Sequence, residues 1–311
     1  MEFGKKLEDF TNEELSNIIT AFLDNYITDV IFKNKKPQAL KVFNGATYLV
    51  FALLTAVLFN IDEVPLLNIG LFMLSGVLAS VSSIPYYIAL KNEEATGAAI
   101  FYQIQPLFYL LAGALFFHEA ISVPQIIALI IIMIAPTIII LSRKHKKSRQ
   151  MQIRAGALLV LYVFLLALSG IISTHAGNEN NYTTFFVYFL LGRGLSDVTL
   201  SLANPSWRKR FKEVTTKKPL QSLGVIALNQ LLCILAEFTS RLALILGVAA
   251  VVSALTNSLE LILTFLLGII LTKRWPKFGR EHLHRHIIIA HLIGTVLCVT
   301  GIIILQIAEG V

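Results

Sequence analysis

Of the 311 residues, 56% are apolar and only 14% charged, and the mean hydropathy is +0.72. Soluble domains carry about 25% charged residues, so these proportions exclude one and leave an all-α integral membrane protein as the class. The net charge of +7 would suit a nucleic-acid binder, but the basic residues stand in short segments between apolar runs, so no nucleic-acid partner is expected.

About 20 apolar residues in a helix cross a ~30 Å hydrocarbon core, and inside lipid a helix satisfies its own backbone. The first 14 residues are polar and acidic, without an evident cleavable signal. The apolar runs then predict about ten spans: Leu15–Phe32, Val42–Asn60, Leu66–Leu90, Ala95–Phe117 and Val123–Leu141, followed by Ala155–His175, Tyr182–Ala203, Leu220–Leu244, Gly247–Leu271 and Ile287–Ile307. The first of these carries Asp24, Asn25 and Asp29, and a helix lying at the interface is its alternative reading. Cys233 and Cys298 both fall inside apolar runs and read as small packing residues.

Charge placement tests the count. Lys33, Lys35, Lys36 and Lys41 follow span one. Six basic residues from Arg143 to Arg154 follow span five, six from Arg208 to Lys218 follow span seven, and five from Lys273 to Arg285 follow span nine. These groups hold 21 of the 26 Lys and Arg residues, and ten spans put all of them on one side. Basic loops stay in the cytoplasm, so both termini are expected outside a cell membrane, and the loops suit anionic lipid headgroups. Sliding the chain by 154 residues lays Ile88-Ala89-Leu90 over Leu242-Ala243-Leu244, and span four over span nine without a gap. This divides the chain into a first five-helix unit (15–141), a basic linker (142–154) and a second unit (155–307). Five spans per unit force the second to enter inverted, a construction that puts a substrate site between the halves near the midplane.

The segment Ala89-Leu90-Lys91-Asn92-Glu93-Glu94-Ala95-Thr96-Gly97, continuing through Gln105-Pro106-Leu107-Phe108 to His118-Glu119-Ala120-Ile121-Ser122, resembles the EamA-type repeat of the drug/metabolite transporter superfamily. In that repeat a helix ends on Ala-Leu, a polar turn follows, and the next helix carries a mid-helix proline and closes on an acid and a serine. Pro106 and Glu119 match; in the second half Glu260 and Lys273 stand at those places. The resemblance implies two inverted five-helix repeats and a secondary transporter, an exporter or exchanger, working by alternating access on a small polar or amphiphilic metabolite.

Ionisable groups inside a membrane cost ~2.5–3.5 kcal/mol each on insertion scales, so each calls for a reason. Arg193 and Asp197, and likewise Glu237 and Arg241, are four residues apart, which suits a local ion pair; Arg241 also suits a substrate carboxylate or phosphate. Glu260 has no partner at helical spacing, leaving proton or cation coupling, or a bond to another helix. Asp24 is the deepest acid of span one. Tyr86 and Tyr87 end a polar stripe begun by Ser80, Ser82 and Ser83, Tyr102 and Gln103 open a similar cluster, and Asn257 overlays Gln103 at the 154-residue offset. Such residues often only bond helix to helix, but their recurrence in both halves favours a cavity lining. Asp24, Tyr86, Tyr87, Tyr102, Gln103, Glu237, Arg241, Asn257 and Glu260 are therefore the candidate binding residues. His175, His291 and the His282-His284-His286 run lack convergent neighbours, so neither metal nor cofactor is expected. An integral membrane enzyme or lipid-handling protein is the alternative, and the chain is expected as a monomer or homodimer.

Overall fold

The computed structural model describes residues 19–24, 26–33, 35–90, 101–116, 122–142, 149–177, 181–217, 219–247, 249–274 and 285–308, and those residues are helical or in short connections. Helix α1 comprises helical residues 19–24 and 26 and closes in a π-helical turn, Ile27–Ile31. Lys33 and Lys36 take positive φ (51° and 53°), and the chain re-enters through a 3-10 turn, Pro37–Leu40, with proline at its start. There follow α2 (Lys41–Leu58), α3 (Leu66–Ala89), α4 (Gln105–Phe116), α5 (Val123–Ser142), α6 (Arg149–Gly177) and α7 (Tyr182–Ala203). A short helix, α8 (Pro205–Lys217), precedes α9 (Pro219–Leu246), α10 (Ala249–Arg274) and α11 (Arg285–Ala308).

Local chemistry sets several of these ends. Ser122 and Gln125 form a capping box on α5: the Ser122 N–H donates to Gln125 Oε1 at 2.8 Å and the Gln125 N–H to Ser122 Oγ at 3.4 Å. Asn181 caps α7, its side chain accepting from the Thr183 N–H at 3.0 Å. Among the described residues, five helices are long and apolar enough to cross a membrane: Pro37–Leu58, Leu66–Ala89, Arg154–Gly177, Tyr182–Ala203 and Ser222–Leu246. Their outer faces expose large apolar side chains such as Leu53, Val57, Leu67, Leu161 and Leu231, which suits lipid and not water.

α7 lies against both α2 and α3, and α3 also packs on α6. Glycines make the closest approaches. A Cβ on Gly76 would stand 2.1 Å from the Phe189 carbonyl oxygen, and one on Gly192 2.1 Å from that of Met73. Without a strong hydrophobic drive between helices in lipid, such backbone proximity is what holds them together. Phe72, Phe185, Phe186 and Phe189 fill the space around these crossings. On the far side α5 packs on α11, and α4 on α10.

Three expectations are corrected. The segment from Arg208 to Lys217, taken as a basic loop, is the amphipathic helix α8; its Trp207, Phe211 and Val214 pack against Ile27, Phe32 and Leu40, while Arg208, Lys209 and Lys212 face outward. Lys41, counted among the surface charges, is buried at the first turn of α2. Pro106 is not mid-helix: it is the second residue of α4, after a turn in which the Ile104 N–H donates to the Phe101 carbonyl. That is where proline's missing N–H costs least. Residues 91–100 and 117–121, with Glu119, lie outside the described residues.

Candidate substrate cavity

A buried salt-bridge network organises the middle of the fold. Lys41 Nζ lies 2.5 Å from Asp197 Oδ1 and donates to the Ser80 carbonyl (2.7 Å) and Oγ (3.2 Å); the Ser80 hydroxyl donates to the same Asp197 oxygen at 2.5 Å. Both side chains are almost fully enclosed, at 1% and 2% exposure. One turn up α7, Arg193 pairs with Glu237 of α9, and the other Glu237 oxygen takes Arg241 Nε at 3.3 Å. Each guanidinium also lies over a ring, Arg193 at 4.6 Å from the centroid of Tyr48 and Arg241 at 4.7 Å from that of Phe189. Arg241 Nη1 donates to Ser173 Oγ at 2.9 Å, and Ser173 joins Ser75 and Ser169 in a hydroxyl cluster that staples α3 to α6. The anticipated Arg193–Asp197 pair therefore does not form. Each residue finds its countercharge on a different helix, and only Glu237–Arg241 keeps the four-residue pairing.

Beside this network is a cavity of about 170 Å³ bounded by α1, α2, α3, α6, α7, α9, α10 and the start of α4. Eight of the nine candidate residues line it: Asp24, Tyr86, Tyr87, Tyr102, Glu237, Arg241, Asn257 and Glu260. Gln103 is not in the wall but behind it, where its side-chain amide donates to the Asn257 carbonyl at 2.6 Å. Asn257 in turn donates to the Tyr102 carbonyl at 2.7 Å and to Gln105 Oε1 at 3.3 Å. Asp24 accepts from the Asn229 amide at 3.0 Å. Tyr86, Tyr102 and Tyr162 form one aromatic wall, with ring centroids 4.9 Å (Tyr86–Tyr162) and 5.4 Å (Tyr102–Tyr162) apart and a 2.5 Å contact between the Tyr102 and Tyr162 hydroxyls.

Several lining residues were not among the candidates. Tyr48, Tyr109 and Tyr162 sit in apolar runs where a tyrosine reads as packing, and Arg193 and Asp197 were set aside as a pair satisfied on their own helix. The signal for the latter was present: three acids and two arginines in spans seven to nine leave more than one way to pair them. Among the described residues no group of three or more His, Cys, Asp or Glu side chains is placed to hold a metal ion. The chemistry on offer is recognition. Guanidinium forks, carboxylates, amides and phenols face one small space between apolar helices.

Residues 31–141 match the model of the EamA-like transporter family. No curated protein matches the chain. A solved structure titled only "Crystal structure of protein" superposes with a TM-score of 0.62 at 13% identity, covering 94% of this chain and 98% of that one. At that identity the likeness concerns the fold alone.

Proposed function

We propose that this chain, whose residues 31–141 match the model of the EamA-like transporter family, is a secondary transporter of that kind, carrying a small polar metabolite through the cavity by alternating access. The family match over residues 31–141 and the long apolar helices support a multi-pass membrane transporter; the mechanism and the cargo are our reading. The observation that carries it is the cavity lined by charged side chains between apolar helices. Intramembrane ionisable groups face a bundle interior or a water-filled path and mark the route of a substrate or ion.

The ten-helix, two-repeat arrangement is part of this reading. Gln103 and Asn257, equivalent at the 154-residue offset, bond to each other's segments across the bundle. This is the contact expected close to a pseudo-two-fold axis between inverted repeats. Rocking one unit against the other would open the cavity to each side in turn.

The test is counterflow in proteoliposomes. Vesicles loaded with unlabelled amino acids, nucleosides, amines or sugar phosphates are diluted into traces of the labelled compound. Accumulation of label above the empty-vesicle level for at least one class is expected, and its loss in Arg241→Gln. Activity that modifies the compound without moving it would instead favour a membrane enzyme.

A further inference from the structure

The cavity has two unlike ends. On α9, Asn229 holds Asp24 at 3.0 Å, whereas Glu237 and Arg241 stand two and three turns further along. At ~1.5 Å per residue, the eight residues from Asn229 to Glu237 rise ~12 Å. α10 passes the cavity in the opposite sense. Its Val252 packs with Leu244 and Tyr109 at the Arg241 end, while Leu263 and Leu267 pack on Phe22 of α1 at the Asp24 end. Glu260, one turn before Leu263, therefore belongs with Asp24, again ~12 Å from the level of Val252. One end of the cavity thus presents two carboxylates beside the Tyr86, Tyr102 and Tyr162 rings. The other presents two guanidinium groups sharing a single carboxylate. Arg193 Nε at that end is buried without a hydrogen-bond partner.

We infer that, if the transporter reading above holds, the cargo is a small linear zwitterion whose cationic and anionic ends are separated by several bonds. The ammonium end lies between Asp24, Glu260 and the tyrosine rings, where carboxylates and aromatic faces both attract a cation. The carboxylate or phosphate end meets Arg193 and Arg241, whose forks match such anions and whose combined charge exceeds that of Glu237. A compact α-amino acid carries both charges on neighbouring atoms and reaches only one end. A singly charged molecule makes its charge-assisted contacts at one end only.

Binding to the purified, detergent-solubilised protein, read by calorimetry, separates these cases with four probes: 6-aminohexanoate, hexylamine, hexanoate and leucine. The zwitterion of separated charges is expected to bind at least about tenfold more tightly than the other three, since each end adds a charge-assisted contact. Asp24→Asn, which keeps the size and the Asn229 contact partner, should reduce 6-aminohexanoate to the affinity of hexanoate. Equal binding of hexylamine or hexanoate, a preference for leucine, or no binding of 6-aminohexanoate overturns the inference. Counterflow with labelled 6-aminohexanoate tests the parent reading apart from this one. Tight binding without movement leaves the two-ended site standing and removes transport, whereas movement of other compounds with no preference for the zwitterion does the reverse.

Discussion

Lys41 stands at the end of a run of lysines, Lys33, Lys35 and Lys36, and nothing in that run separates it from its neighbours. The turn through Pro37–Leu40 swings it from the surface to the inside of the bundle, where Asp197 and Ser80 take up its three donors. A buried pair of this kind adds little net stability, but removing one partner leaves the other charged in an apolar setting, at about 3–5 kcal/mol. Lys41→Met is therefore expected to lower the unfolding free energy by roughly that amount, and adding Asp197→Leu should restore most of it. Thermal unfolding in detergent checks this, and an unchanged midpoint for the single variant would remove the pair from the structural account. The Glu237 site makes a different demand. Exchanging its charge with Arg241 (Glu237→Arg with Arg241→Glu) keeps the four-residue pair on α9 but sets a second guanidinium beside Arg193. The exchanged protein is expected to be less stable than the parent by several kcal/mol, as seen in the same unfolding measurement. A purely local pair would tolerate the exchange.

Helices were legible in the sequence where hydropathy alone decides them. α2, α3 and α7 begin and end within two residues of the expected spans, because each is an apolar run with a turn or a polar residue at both ends. Legibility failed where a helix is held by something other than its own apolarity. α8 has an alternation of Trp207, Phe211 and Val214 at helical spacing that its many basic residues hide. Arg210 fastens it, donating to the Phe32 carbonyl at 2.6 Å and to the Lys35 carbonyl at 3.2 Å, at the end of α1. Arg210→Ala is expected to loosen α8 while leaving the bundle intact, seen as faster amide exchange confined to residues 205–217. The glycine crossings give a sharper test. Gly192→Ala drives a methyl group into the Met73 backbone, and overpacking of this kind costs about 1–3 kcal/mol. Gly224→Ala, where an added Cβ meets nothing within 4 Å, is the control and should be neutral or slightly stabilising. Equal effects of the two would mean that α3 and α7 do not cross as closely as they do here.

For the whole molecule, the sequence placed eight of the nine candidate side chains around one cavity because the cost of a polar group in lipid leaves it few other places to go. It did not reveal which charge meets which, since that depends on how helices distant in the chain are set side by side. The same charges predict a sidedness that labelling can test. α2 starts at Lys41 beside Lys35 and Lys36, α6 starts at Arg149, and α7 runs into basic α8, which is tied to Lys35 and Phe32. At the opposite end the Asp62 N–H donates to Thr184 Oγ1 at 2.9 Å, bringing the acidic α2–α3 connection against the first turn of α7. One end of these helices is therefore basic and the other acidic. Basic segments are retained in the cytoplasm, so a cysteine replacing the exposed Thr216 of α8 should react with a membrane-impermeant maleimide only after the membrane is opened. Cysteines replacing Glu63 and Asn181, both exposed at the acidic end, should react on intact cells. The background for all three replaces Cys233, which lines the cavity, and Cys298 with serine. Reversed labelling would turn the molecule over in the membrane without altering its fold. Labelling of Glu63→Cys and Asn181→Cys from different sides would break the common direction of α2 and α6, and with it the span count on which the inverted arrangement rests.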